Sequence, residues 1–184
     1  MNESGAGSPP LRAAGPDDVP AIEALMRVSI LELFPTYYDA AQTAASVASF
    51  ASLDRVLIED GTYFVIEVDG ELVACGGWTR RARVVPGSGD DPASPRFLDP
   101  ATEPARIRQM FVRPDWARRG LATRLLETGE AAARKAGFRR LELGASLPGE
   151  PLYLRYGCRE IERIDIPLSD GVSIAGFRMA KLIE

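Results

Sequence analysis

Apolar positions recur along this chain with changing periods, and the changes outline a mixed α/β fold. Val19, Ile22, Leu25, Met26, Ile30 and Leu33 return every three or four residues, which places them on one face of a helix. Gly15-Pro16-Asp17-Asp18 stands directly before them, with proline where a helix start tolerates it and acids where the helix dipole favours them. The pattern predicts a helix over residues 16–34. A short strand at 11–14 (LRAA) precedes it, and an alanine-rich helix around Asp39–Ser52 follows. Tyr63, Phe64, Val65, Ile66 and Val68 then form a β-rich run, Asp69-Gly70 suits a type I′ turn, and Glu71–Thr79 returns as the second strand of a hairpin. Residues 84–104 break the pattern with five prolines, two glycines and four acidic side chains. A loop of this length inside a compact domain is usually functional or mobile, and it reads as a flap beside a cleft. Regularity resumes with a strand at Ile107–Val112, a Gly-containing turn and a helix over Leu121–Ala136, with Gly137 at its C-cap. A strand at Phe138–Ala145, a short helix at 149–156 and a closing strand pair, Ile161–Ile166 and Ile174–Leu182, complete the order. The chain divides into a flexible, Gly/Ser/Pro-rich tail at residues 1–10 and one domain at 11–184.

Composition narrows the function classes. A chain of 184 residues buries roughly 70% of its unfolded surface in one domain and needs no disulfide or metal staple. Its net charge of −4 argues against generic nucleic-acid binding, which shows a basic excess. Arginines still cluster at Arg80, Arg81 and Arg83 and again at Arg113, Arg118 and Arg119, so local anion recognition stays open. No apolar run approaches the ~20 residues of a membrane span, and Met1–Pro10 lacks the apolar core of a signal peptide. Cys75 and Cys158 lie in apolar contexts without CxxC spacing and read as buried free thiols suited to a reducing cytoplasm. Histidine is absent. Ser-His-Asp and Cys-His nucleophiles are thereby excluded, as are zinc sites built on histidine, and no metal is expected. Any chemistry must use carboxylates, Tyr, Lys, Cys or backbone groups.

The segment Val112-Arg113-Pro114-Asp115-Trp116-Ala117-Arg118-Arg119-Gly120-Leu121-Ala122-Thr123 says most about that chemistry. A strand runs into a tight turn from which a helix opens at once. Helix N-termini present unpaired N–H groups and partial positive charge, the combination that binds phosphates. Small residues at Gly120 and Ala122 let a ligand come close to the backbone. The first acid inside the helix is Glu127, while Arg118 and Arg119 stand at its entrance. That placement costs about 0.3–1 kcal/mol per charge unless an anion neutralises it. Asp115, just upstream, offsets part of this. Neither a Walker A loop nor a GxGxxG fingerprint is present.

The segment resembles motif A of the GCN5-related N-acetyltransferase superfamily, [Q/R]-x-x-G-x-[G/A] after a strand ending in a V-x-P-like sequence. Gly120 and Ala122 match the last fixed positions, and Val112 and Pro114 match the approach. Ala117 departs from the usual Gln or Arg. The element order matches over about residues 11–183. The resemblance implies a single-domain α/β fold: a mixed, twisted sheet with helices on both faces and a central strand pair that splays near Met110–Val112. It implies that backbone N–H groups of Arg118, Arg119, Gly120, Leu121, Ala122 and Thr123 hold the CoA pyrophosphate, and that Met110, Phe111 and Val112 receive the pantetheine arm. Acetyl-CoA would be the acyl donor and a primary amine would attack it directly.

A second segment, Pro148-Gly149-Glu150-Pro151-Leu152-Tyr153-Leu154-Arg155-Tyr156-Gly157-Cys158, looks like the family's late L-Y-x-x-x-G-F motif, with Cys158 in place of the aromatic residue. By that resemblance Tyr153 protonates the leaving thiolate. A phenol with a pKa around 10 is protonated at neutral pH and can do so. Tyr156 is the neighbouring alternative. For the general base, Arg106 stands where some histone-acetylating members carry a Glu; Glu103, Glu142 and Glu150 are candidates, beside water-mediated deprotonation. Arg106 and Arg108 share one strand face, which would favour an acceptor bearing a carboxylate if that face lined the cleft; a bulge would reverse the parity. The expected partner is a small-molecule or peptide amine, with neither nucleic acid nor membrane involved, and a homodimer is compatible with this reading. Two other readings remain: a non-catalytic CoA-binding or sensing protein on the same fold, and a P-loop-like nucleotide binder.

Overall fold

The computed structural model describes residues 8–82 and 96–183. Seven strands form one sheet: β1 (Leu11–Ala13), β2 (Tyr63–Val68), β3 (Glu71–Thr79), β4 (Ala105–Val112), β5 (Arg140–Ser146), β6 (Arg159–Pro167) and β7 (Ser173–Leu182). Their spatial order is β1-β2-β3-β4-β5-β7-β6. Every neighbouring pair is antiparallel except β4–β5. Five helices accompany them: α1 (Val19–Leu33), α2 (Ala40–Phe50), α3 (Val56–Glu59), α4 (Leu121–Lys135) and α5 (Glu150–Arg155).

Local chemistry accounts for the boundaries. Asp39 caps α2 by accepting from the Gln42 N–H at 2.8 Å, and the Gln42 side chain accepts from the Asp39 N–H in return. The β2–β3 turn has φ of 51° at Asp69 and 82° at Gly70, the positive pair that a type I′ turn requires. The α1 stripe packs Ile22, Leu25 and Met26 against Tyr63, Val65 and Cys75 on one face of the sheet. On the other face α4 buries Leu121 and Leu125 against Ile66 and Ala74, and Leu126 and Ala133 beside Trp78 and Ile107. The four-residue α3 was not expected from the sequence, being too short to establish a period.

Residues 83–95 lie outside the described residues, and with them most of the predicted flap. Its last part, 96–104, is irregular and mostly exposed, as the composition suggests, but it is tied down at two points. The Ala82 N–H donates to Arg96 O at 2.9 Å and the Leu98 N–H to Arg80 O at 2.7 Å. Leu98 is buried, and Arg96 pairs with Glu103 at 2.6 Å. The insertion therefore returns to the end of β3 through backbone pairing that composition could not reveal.

The central parallel pair is brief. β4 meets β5 only at Ala105↔Leu141 and Arg106↔Glu142. The last pair is closed by a buried ion pair, Arg106 Nη1 to Glu142 Oε1 at 2.8 Å. Just beyond, Gln109 takes a φ of 47°, and β4 carries one extra residue against β3. This bulge needs the two glycines opposite it. A Cβ on Gly76 would sit 2.0 Å from the Met110 sulfur, and one on Gly77 would sit 2.4 Å from the Thr62 carbonyl oxygen. Buried Tyr63 donates its hydroxyl to Gln109 O at 2.6 Å, while the Gln109 side chain donates to Ser52 O at 2.8 Å and accepts from the Asp54 N–H at 3.1 Å. The bulge is thus tied to β2 and to the segment after α2.

On the α4 side, Glu130 gathers Lys181 at 2.6 Å, Tyr156 at 2.7 Å and Arg134 at 2.7 Å. Burial raises the Glu130 pKa, but these donors outweigh it and hold the carboxyl below its ordinary value. A depressed folded pKa gives stability that is present above the unfolded pKa and lost as pH falls through the folded one. Glu130→Gln is therefore expected to lower Tm at neutral pH, with the deficit shrinking as pH drops below the usual carboxylate range. Parallel thermal melts from pH 7 downward check this, and a deficit independent of pH would remove charge from the explanation.

Candidate active site

The divergence of β4 and β5 opens a cleft of about 390 Å³. Arg108 and Phe111 enter it from β4, Ser146 from the end of β5, Tyr153 from α5, and Phe34 and Phe50 from the α1–α2 side. The β4 edge facing the gap has backbone groups to offer. The Arg113 N–H donates to Val73 O on β3 at 2.9 Å, so by the alternation of an antiparallel ladder the Val112 N–H faces away from β3, towards the gap between β4 and β5. The bulge also sets side-chain parity. Arg106 and Arg108 precede it and keep one face, and Phe111 joins that face only because of the extra residue. Arg106 nonetheless stays at the closed end, buried with Glu142, and Arg108 alone of the pair lines the cleft.

Tyr153 is brought to the cleft by a short connection. Gly149 caps α5, and after the helix the Cys158 N–H donates to Tyr153 O at 2.9 Å. The side chain is buried, which pushes the phenol well above its ordinary pKa. Among the described residues no group hydrogen-bonds its hydroxyl, and the residue lines the cleft. Tyr156, the sequence alternative, points elsewhere: its hydroxyl donates to Glu130, and Lys181 Nζ lies 3.9 Å from its ring centroid.

The turn from β4 to α4 is built to leave donors open. Arg118 has φ 60° and Gly120 φ 78°, with Gly120 as N-cap and no side chain capping the helix. Among the described residues nothing accepts from the N–H groups of Arg118 through Thr123. A non-glycine residue at positive φ is a strained arrangement, and alternation with glycine curls successive N–H groups into an anion-binding concavity. The upstream acid does not fill it, because both Asp115 oxygens bond Arg113, at 2.9 and 2.6 Å. Arg119 is held against the Trp116 ring, 4.5 Å from its centroid, and Arg118 is exposed.

None of the three candidate bases lines the cleft. Glu103 is engaged by Arg96 and by the Asp99 N–H, which hold it down to about 2. Glu142 is held by Arg106, and Glu150 has its pKa raised first by desolvation and then by the neighbouring Glu160. The two thiols are buried and free, pushed by burial up to about 12 at Cys75 and about 11 at Cys158, so neither is a ready nucleophile. Among the described residues no group of three or more His, Cys, Asp or Glu converges as a metal site, and no helix is long and apolar enough to cross a membrane. Sequence reasoning missed Phe34, Ser49, Phe50 and Ile166 as cleft residues. Their apolar spacing marks burial, and no motif flags the gap they face.

Comparison with known proteins agrees with this geometry. The family model described as acetyltransferase (GNAT) family matches residues 27–157. The chain belongs to that family. No curated protein sequence matches it. Solved GNAT structures share its fold at low identity. A GCN5-related N-acetyltransferase from Rhodopseudomonas palustris has a TM-score of 0.72 at 20% identity, covering 96% of each chain. PaiA N-acetyltransferase from Thermoplasma acidophilum, solved in complex with coenzyme A, has a TM-score of 0.63 at 12% identity, covering 96% of this chain and 99% of its own. The ribosomal-protein-S18-alanine N-acetyltransferase from Escherichia coli has a TM-score of 0.58 at 18% identity, covering 96% of this chain and 95% of its own.

Proposed function

We propose that this chain transfers an acyl group, acetyl in the first instance, from acyl-CoA to a primary amine. The observation that carries the proposal is the run of unaccepted N–H groups at Arg118–Thr123, on a turn bent by two positive-φ residues, next to the open edge of β4. The donor set fits a pyrophosphate, and Met110, Phe111 and Val112 fit an extended, amide-bearing arm. Family membership and the coenzyme A-bound relative support the same assignment.

Bound there, the acyl-CoA supplies an activated thioester, whose C–S bond breaks as a C–N bond forms to the amine. The chain's own contribution is positional and electrostatic. The β4 edge offers N–H donors for the carbonyl oxygen as negative charge develops on it. Tyr153, kept protonated by burial, gives its proton to the departing sulfur and regains one from solvent. The amine loses its proton through water, since no carboxylate among the described residues lines the cleft. A thioester needs little further activation, so alignment in the cleft supplies much of the acceleration.

The test is thiol release from acetyl-CoA with a panel of amines. Acceptor-dependent release with matching acetyl-amide by mass spectrometry is expected. Tight acetyl-CoA binding with no release for any amine would leave a non-catalytic CoA-binding protein.

A further inference from the structure

The bulge in β4 is held from two strands away. Between the Gly77↔Arg108 and Cys75↔Phe111 pairs, Gln109 and Met110 together oppose Gly76. Gln109 carries the strain of that arrangement, a φ of 47° that a non-glycine residue keeps only where its surroundings impose it. Its side chain meets the segment after α2, donating to Ser52 O at 2.8 Å and accepting from the Asp54 N–H at 3.1 Å. Its backbone carbonyl accepts from the Tyr63 hydroxyl at 2.6 Å. Tyr63 belongs to β2 and pairs with Gly77 on β3. Because Gly77 has no side chain, the Tyr63 ring can lie across β3 and reach β4; a Cβ there would come within 2.7 Å of Tyr63 Cδ2. The ring is fully buried, and desolvation holds the phenol well above its ordinary pKa, so it remains a donor at neutral and alkaline pH.

We propose that Tyr63 and Gln109 are positioning residues for acyl transfer: their three contacts together fix the bulge, and with it the β4 edge that receives the thioester. The inference rests on the acyl-transfer reading and adds two residues to it. Beyond Gln109 along β4, the Phe111 side chain enters the cleft and the Val112 N–H faces the gap. Tyr153 approaches the same cleft from α5. The reacting groups therefore sit on separate elements, and their alignment depends on where the bulge sets β4. A misplacement of about 1 Å at such a site can cost about 10²-fold in rate. Affinity is anchored elsewhere, at the Arg118–Thr123 turn beyond the end of β4. A clamp that only satisfied buried polar groups would affect stability alone. One that sets the edge must also lower kcat while leaving acetyl-CoA affinity in place.

The experiment uses the full-length protein with acetyl-CoA and an amine that the parent acetylates. Tyr63→Phe should lower kcat by about 10- to 100-fold with acetyl-CoA affinity unchanged. Gln109→Gly should move kcat the same way by a smaller factor, because glycine accepts the positive φ but lacks both side-chain anchors. The infrared carbonyl stretch of bound acetyl-CoA, picked out by isotope labelling, should shift back towards its value in water as the edge donors lose alignment with the oxygen. Tyr156→Phe is the control. It removes a tyrosine hydrogen bond away from the bulge and should lower Tm while kcat and the carbonyl stretch stay parental. Parental kcat in a folded Tyr63→Phe or Gln109→Gly, an unmoved carbonyl stretch, or an equal kcat loss in Tyr156→Phe would each overturn the proposal while leaving acyl transfer standing. So would a Gln109→Gly effect confined to the KM of the amine, which would make Gln109 an acceptor contact instead. Should Tyr63→Phe fail to fold, Gln109→Gly decides the question by the same readouts. Absence of thiol release by the parent with any amine would overturn acyl transfer and this inference with it.

Discussion

Replacing Tyr153 with phenylalanine is expected to lower kcat by about 10²- to 10⁴-fold, the usual range for loss of a positioned proton donor, with acetyl-CoA affinity unchanged. The structure makes this substitution unusually clean. The hydroxyl bonds nothing among the described residues, so its removal orphans no partner, and the ring that fills the space beside the cleft is kept. Tyr156→Phe, on the same short segment, should behave in the opposite way. It removes a hydrogen bond to the Glu130 carboxylate, worth roughly 1.5–3 kcal/mol, and should cost stability while sparing kcat. The pH profile provides a second signature. A phenol raised by burial stays protonated above its ordinary range, so activity should show no alkaline decline from Tyr153 through pH 9 to 10. An acyl donor with a more acidic thiol should reduce the Tyr153→Phe defect, because its thiolate departs without help. Near-parental kcat in Tyr153→Phe, or a large loss confined to Tyr156→Phe, would take Tyr153 out of the mechanism.

Why some of this was legible in the sequence and some was not follows from the range of the interactions. The α1 stripe, the Asp69-Gly70 turn and the Gly137 cap are decided within a few residues of themselves, and all three lie where the pattern placed them. The β4–α4 turn was legible for the same reason: its glycine, its small residue and its missing first-turn acid are adjacent. The cleft was not. It joins Phe34, Phe50, Phe111 and Ile166 from four elements, and only the sheet order brings them together. The bulge that turns Phe111 towards them is set by Gly76, Gly77 and Tyr63, more than thirty residues away in sequence. Arg106 and Arg108 look equivalent as a strand pair. They part company because Glu142 arrives beside the first of them from the neighbouring strand, and a β period carries no trace of that.

Ala122→Glu should separate folding from ligand binding by moving them in opposite directions. Ala122 is the second residue of α4, where a carboxylate complements the helix dipole, and α4 has no acid in its first turn. As a matter of folding, the substitution should be neutral or stabilising, by about 0.3–1 kcal/mol. As a matter of binding it places a negative charge among the N–H groups proposed to hold a pyrophosphate. Two unit charges 4 Å apart near a protein surface interact with roughly 4 kcal/mol, so acetyl-CoA affinity should fall by ~10²- to 10³-fold. Ala122→Gln matches the size without the charge and should lose much less. Arg118→Ala should also lose little, since the proposed contacts are made by backbone groups and the Arg118 side chain is exposed. Salt supplies a further check. The Ala122→Glu defect is electrostatic and should narrow as ionic strength rises, whereas a steric defect would not. An Ala122→Glu protein that melts no lower than the parent and binds acetyl-CoA equally well would mean that the phosphates lie elsewhere, and the open turn at Arg118–Thr123 would lose its assignment.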